Sequence, residues 1–214
     1  MSSTRVLVAD ANSTDGTPEI VMSFRDRLNV TVIRGGMPSV GRNQGAAQAD
    51  TPYVLFLDAD IELADRSLVR RCVEEAQTKA LHCMTTNIVC RDGNWIDKLF
   101  YAGGVDLCQY LSCLHRPFAT GMFMFFDRKK FWELGGFNEQ IHFAEDYKLS
   151  QRVERKRFAI VRGGVWTTNR RFQRMGHLRV GWLFVRTALN YWNEKHFLRD
   201  HKYWAQEADS APQA

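Results

Sequence analysis

The apolar positions of this chain change their period along its length, and the changes mark out its elements. Arg5-Val-Leu-Val-Ala-Asp10 is a short apolar run ending in an acid, the pattern of a strand buried in a parallel sheet. Turn residues follow in Asn12-Ser-Thr-Asp-Gly-Thr-Pro18, and Pro18 suits the first turn of a helix running to about Leu28. Residues 30–33 form a second strand, Gly35-Gly36 with Pro38 a loop, 40–49 a helix of small residues, and 53–57 a third strand. A helix over 65–79 completes the alternation. Strands alternating with helices predict an α/β fold with a mostly parallel, Rossmann-type sheet and right-handed connections. A ligand is expected beyond the carboxyl ends of the strands.

After residue 80 the pattern loosens. Residues 82–90 read as a strand, 95–112 as a helical, aromatic-rich excursion, and Gly121-Met-Phe-Met-Phe-Phe126 as a central strand. A helix over 128–134 is stopped by Gly135-Gly136, and 145–155 and 158–161 read as helix and strand. Residues 178–192 form a helix with Arg179, Arg186, Asn190 and Asn193 on one face. Leu178, Trp182, Val185, Leu189 and Trp192 lie on the other. Residues 205–214 have no apolar reason to fold. Neither a repeat nor a linker interrupts the chain, so one domain is expected over 1–204.

Composition narrows the class. At 214 residues, 45% hydrophobic and 25% charged, the chain is globular and large enough to need no disulfide or metal staple. Its net charge of +5 is unevenly placed: 170–202 carry eight basic residues against two acids, a net +6. That end calls for an anionic partner, phosphate groups or a lipid surface, and no nucleic-acid signature accompanies the charge. A basic, apolar-striped helix with Trp182, Trp192 and Trp204 nearby points to peripheral binding of 177–202 to an anionic membrane face. The equal alternative is a core-packing helix whose arginines reach phosphate. Five cysteines without a Cys-x-x-Cys pair read as reduced structural thiols. No secretory stretch opens the chain and no run of about 18 apolar residues occurs, so a cytoplasmic location is expected.

The candidate chemistry begins at Asp58-Ala-Asp60, directly after the third strand. Two carboxylates leaving a strand end at i and i+2 suit a divalent ion bound to phosphates, although acids at strand ends also serve solubility alone. A haloacid-dehalogenase-type phosphatase uses a similar pair but wants a small hydroxyl or β-branched residue where this chain has Glu62. Three further segments stand in order around the pair: Asp10-Ala-Asn-Ser-Thr-Asp-Gly-Thr17, Gly41-Arg-Asn-Gln-Gly45, and Gly135-Gly-Phe-Asn-Glu139 followed by Glu145-Asp146.

This order, over residues 5–175, resembles the family 2 glycosyltransferases of the GT-A fold. The resemblance implies a metal-dependent, inverting transfer of a sugar from a nucleotide diphosphate sugar to a carbohydrate or lipid-linked hydroxyl, with Mn²⁺ or Mg²⁺. Asp10 and Asn12 would meet the nucleotide base or ribose, with Arg42 and Asn43 as further contacts. Asp58 would lie near the ribose or metal, and Asp60 on the metal. Asp146 would take the acceptor's proton, with Glu145 beside it. Gly121 and the 135–137 loop would shape the sugar pocket, and Arg170 and Arg171, in a basic stretch ending at Gly176, would contact the diphosphate. Ala11 stands where the family has a second acid. The chain begins where the family's second strand would, so the usual opening strand, its Pro-x-x-Asn turn and first helix are expected to be lacking. The rival readings are an inactive nucleotide-sugar-binding protein and a phosphatase. Locally, Ser13, Thr14 and Asp15 are candidate helix caps, Arg42 a candidate surface ion pair, and Glu145-Asp146 a candidate complement to a helix dipole.

Overall fold

The computed structural model describes residues 4–199, 201 and 203; the expectations for Trp204 and for 205–214 lie outside them. In chain order the first elements are β1 (Arg5–Asp10), α1 (Thr17–Met22), β2 (Asn29–Arg34), α2 (Pro38–Gln48), β3 (Tyr53–Leu57) and β4 (Glu62–Leu63). Then come α3 (Leu68–Lys79), β5 (Cys83–Cys90), α4 (Trp95–Leu99), α5 (Leu107–Ser112), β6 (Phe123–Asp127) and α6 (Arg128–Glu133). The last are α7 (Glu145–Ser150), β7 (Phe158–Thr167), α8 (Arg170–Met175), α9 (His177–Leu189) and α10 (Glu194–Leu198). Two compact units are built from them. One gathers the chain up to Thr51, Gly136–Glu145 and the residues from Asn193; the other holds Pro52–Gly135 and Asp146–Trp192.

In the first unit β1 and β2 pair in parallel, from Arg5 opposite Asn29 to Asp10 opposite Arg34. Pro18 lies in the opening turn of α1, as its fixed φ favours. Val30, Ile33 and Ala46 bury the inner side of β2 and α2. The turn after β2 is drawn against β1: the Gly35 N–H donates to the Asp10 carbonyl at 2.6 Å. A Cβ at Gly35 would lie 2.7 Å from the Ala9 carbonyl carbon, so only glycine permits this approach.

The second unit is a five-stranded sheet in the order β3-β6-β5-β7-β4. Here the expectation of a mostly parallel sheet is corrected. β5 and β7 run parallel, but β6 is antiparallel to both β3 and β5, and β4 is antiparallel to β7. Apolar runs reveal strands but not their partners, and alternation with helices gave no hint that β6 runs back between β3 and β5. α3 begins later than its apolar period suggests, because Asp65 accepts from the Ser67 N–H (2.8 Å) and hydroxyl (2.7 Å) ahead of the first turn. Its Leu68, Cys72 and Ala76, spaced at i, i+4 and i+8, enter a core shared with Met84, Ile88, Phe123, Phe125, Val161 and Val165.

Between β5 and β6 the chain from Trp95 to Ser112 is helical, with its middle, Phe100–Asp106, wound as a π-helix. Asn94 caps it: its side chain accepts from the Ile96 and Asp97 N–H groups, and Asp97 accepts from the Asn94 N–H. Tyr101 and Val105 enter the core, where Phe172 of α8 and Val180 of α9 join them. The aromatic positions Phe100 and Tyr101 are thus packing residues, with Phe100 4.9 Å from Phe172. Beneath them, buried Thr85 and Thr86 of β5 are satisfied by Phe123 O, Val161 O and the Gln109 side chain.

Candidate active site

In the first unit Asp10 ends β1, and its carboxylate accepts the Ser13 N–H at 3.0 Å. That bond folds the turn and holds Asn12 at a φ of 66°, a left-handed conformation uncommon outside glycine. Asp15 takes the structural role open to it, accepting from the Thr17 N–H (3.0 Å) and hydroxyl (2.6 Å) before α1. These bonds, the hydroxyl's first, hold the Asp15 carboxyl below its usual range.

Arg42 and Asn43 share the α2 turn that faces the segment before α7. Arg42 donates to Glu145 in an ion pair, both side chains largely buried, and its guanidinium lies 5.5 Å from the Phe137 ring centre. Asn43 splints the same segment. Its Oδ1 accepts the Phe137 N–H (3.0 Å), while Nδ2 donates to Phe137 O (2.8 Å) and to Glu139 (2.9 Å). Arg42 therefore pairs with an acid, as one local reading expected, but the acid is Glu145 of the other motif and not a surface residue. Ala144, at φ 60°, turns the chain into α7 in a conformation that costs energy for a residue with a Cβ.

In the second unit Asp58 and Asp60 follow β3 directly, at the strand end where the sequence pattern puts a ligand. Asp60 is exposed and accepts from Arg170 of α8 at 3.3 Å. Arg171 and Asp60 both lie within electrostatic reach of buried Tyr101, whose hydroxyl is pushed up to about 12 chiefly by burial. α8 is held there by Asp97. This carboxylate, 1% exposed, meets His177 Nε2 at 2.5 Å and the Asn169 amide at 3.4 Å. His177 in turn stacks on Phe172, ring centres 4.7 Å apart. Burial opposes ionisation of Asp97, but the bonds from His177, Asn94 and Asn169 outweigh it and lower its pKa.

Asp146 stands in the first turn of α7, where one carboxylate oxygen accepts the Gly121 N–H at 2.5 Å and the other the Tyr147 N–H at 2.7 Å. The carboxylate's direction is thereby fixed by backbone. One residue before Gly121, the Thr120 hydroxyl is buried with no hydrogen-bond partner among the described residues. An unpaired buried hydroxyl costs about 1–3 kcal/mol, and Ser39 Oγ is in the same state.

The structure thus joins Arg42 to Glu145, Asp60 to Arg170 and Asp146 to Gly121. It keeps the first of these pairs in one unit and the other two in the second. Asp97, His177, Asn169 and Glu139 support these side chains and the segments that carry them, and are not legible as such. The His and Asp lie 80 positions apart, and only the capping signature at Asn94 marks the region. Among the described residues no three His, Cys, Asp or Glu side chains form a metal cage. An ion seated on a diphosphate needs only one or two protein carboxylates, and Asp60 already holds a cationic group in Arg170. The donor set fits a site completed by substrate oxygens.

The profile of glycosyl transferase family 2 matches residues 2–135, and the chain belongs to that family. Its fold is that of GT-A glycosyltransferases of known structure. S. aureus TarS (residues 1–349, with UDP-GlcNAc) superposes with a TM-score of 0.60 at 19% identity, over 77% of this chain and 49% of that one. The mannosyltransferase PcManGT from Pyrobaculum calidifontis, in complex with GDP-Man and Mn²⁺, gives 0.59 at 20% identity over 85% and 55%. Mannosyl-3-phosphoglycerate synthase from Rubrobacter xylanophilus gives 0.53 at 17% identity over 94% and 67%. The chain spans about half the length of the TarS and PcManGT chains. No curated protein matches its sequence.

Proposed function

We propose that the chain transfers a sugar, with inversion, from a nucleotide diphosphate sugar to a carbohydrate or lipid-linked hydroxyl. The observation that carries this reading is the carboxylate of Asp146 at the head of α7, fixed by the Gly121 and Tyr147 N–H groups. In a single displacement the acceptor oxygen bonds to the anomeric carbon as the bond to the diphosphate oxygen breaks. The acceptor's proton passes to Asp146, and the nucleoside diphosphate leaves with the electron pair. Asp10 and Asn12 hold the nucleoside; Arg170 and Arg171 meet the diphosphate; Gly121 leaves room for the sugar. Arg42, Asn43 and Glu145 set the segment that carries Asp146 into α7. A divalent ion, Mn²⁺ or Mg²⁺, held by Asp60 and Asp58 would compensate charge on the departing diphosphate.

Residues 1–204 act as one transferase domain in this reading, supported by a family match that crosses without a break from the first unit into the second over residues 2–135. The partner proposed for 177–202 is the anionic cytoplasmic face of a membrane, to which the chain binds peripherally. Among the described residues no helix is long and apolar enough to cross a membrane. In support, Leu178, Trp182, Val185 and Leu189 form an exposed stripe on α9, opposite its core-facing Val180 and Phe184.

Asp146→Asn tests the reaction. It keeps the size of the side chain and one of its two acceptor oxygens and loses the proton acceptor, so turnover should fall by about two orders of magnitude or more with donor affinity little changed. Loss of affinity and turnover together makes Asp146 a binding residue. Loss of neither makes it a helix-end residue and removes it as the base.

A further inference from the structure

The helical run between β5 and β6 carries more exposed apolar surface than its packing explains. Its inner side buries Asp97, Tyr101, Val105, Asp106 and Gln109. Its outer side presents Trp95 (72% exposed), Leu99, Leu107, Tyr110, Leu111 and, just beyond the helix, Leu114 (71%). Leu107 and Leu111 of α5 fall at i and i+4, and Leu114, past the helix end, stands seven positions after Leu107. Contiguous apolar surface of this kind on a folded domain marks an interaction site. The run lies against α9, since Phe100 meets Phe184 at 6.1 Å between ring centres and a Cβ added at Gly181 would lie 3.7 Å from the Phe100 ring. α9 bears the other exposed stripe, with Leu178 at 91% and Trp182 at 65%.

Charge selects the partner. Through 94–126 the only acids are Asp97 and Asp106, both buried, and 170–192 contain no acid. The exposed charges of these two stretches, Lys98, Arg116, Arg170, Arg174, Arg179 and Arg186, are all positive. Apolar stripes with tryptophans, on two stretches whose own exposed charges are all positive and where the exposed acids Asp60 and Asp92 meet Arg170 and Asn169, match the hydrocarbon edge and phosphate layer of an anionic bilayer. A second copy of the chain would bring the same positive charges together.

We propose that 95–114 is a second membrane seat, acting beside α9, so that the domain binds an anionic bilayer through two apolar elements. The inference rests on the membrane reading of α9 but on separate residues. Two seats also accord with weak single anchors being additive in membrane binding.

The test uses the full chain carrying Cys113→Ser. Cys108, on α5, is then the one exposed thiol, because Cys72, Cys83 and Cys90 are buried. A polarity-sensitive fluorophore on Cys108 should brighten and shift to the blue with vesicles of phosphatidylcholine and phosphatidylserine. Phosphatidylcholine alone should leave it unchanged, and salt should weaken the response. In vesicle sedimentation, Leu107→Gln with Leu111→Gln should reduce binding about tenfold or more, as should Leu178→Gln with Trp182→Ser. Full binding by the Leu107/Leu111 variant, with loss in the Leu178/Trp182 variant, overturns the second seat and leaves α9 as the only one. No vesicle binding by the unsubstituted chain overturns both readings. A dimer in sedimentation velocity that dissociates on the α5 substitutions, without vesicle binding, assigns the stripe to a second copy and overturns the proposal. A silent Cys108 probe on a chain that does bind vesicles overturns it without any variant.

Discussion

Asp106→Asn should stabilise the protein at neutral pH and lose that benefit in acid. Asp106 sits in the π-wound segment with 8% of its surface exposed, and its Oδ1 accepts the Ile88 N–H at 3.0 Å and the Gln109 amide at 3.3 Å. Burial outweighs those two bonds and raises its pKa from 3.8 to about 6. A carboxyl raised in the folded state favours folding while protonated. That contribution is complete below pH 3.8 and is lost as pH rises through about 6, where the buried group must ionise. A rise of about two pH units corresponds to about 3 kcal/mol, and residual solvation of the site reduces this to about 1–2 kcal/mol. Asparagine keeps the acceptor oxygen for Ile88 and Gln109 and carries no charge. Urea unfolding of both proteins at pH 8 should therefore show the variant more stable by about 1–2 kcal/mol, and at pH 4 the difference should shrink to near zero. A variant equally or less stable at pH 8, or one whose advantage is independent of pH, would refute the argument that desolvation dominates at Asp106.

Asp60→Ala should remove the Mn²⁺-dependent part of donor affinity in calorimetry while changing stability by less than about 1 kcal/mol, since its contact with Arg170 is an exposed ion pair. Unchanged affinity with and without Mn²⁺ would take Asp60 out of the site. Arg42→Met should cost about 3 kcal/mol or more, because it leaves Glu145 buried without its guanidinium. Adding Glu145→Leu should recover much of that loss in thermal unfolding, and a double variant no better than the single one would deny that the pair is coupled.

Much of this architecture is legible in the sequence where the signal is local. Residues 5–10 and 53–57 are strands with the bounds their apolar runs predict, because turn residues close each run on both sides. Asp10 and Asp58 stand at strand ends for the same reason. Other features depend on contacts that spacing does not encode. Arg42 and Glu145 are 103 positions apart, and Asp60 and Arg170 are 110 apart. The direction of β6 follows from its partners, and β4 is two residues long, too short for any period. The basic stretch from Thr168 reads as a loop because one turn and a half of helix shows only Phe172 as a buried position. The exposure of the α5 leucines carries no mark in the sequence, since an apolar stripe looks the same whether or not protein covers it.

The central claim, sugar transfer from a nucleotide diphosphate sugar, is tested most directly by nucleoside diphosphate release from a panel of UDP- and GDP-sugars, with and without Mn²⁺. The account predicts release from at least one donor, dependent on the metal and lost in Asp146→Asn. Donor binding without release would contradict it in favour of an inactive nucleotide-sugar-binding protein. Phosphate release from simple phosphate esters, with no nucleoside diphosphate formed from any donor, would contradict it in favour of a phosphatase.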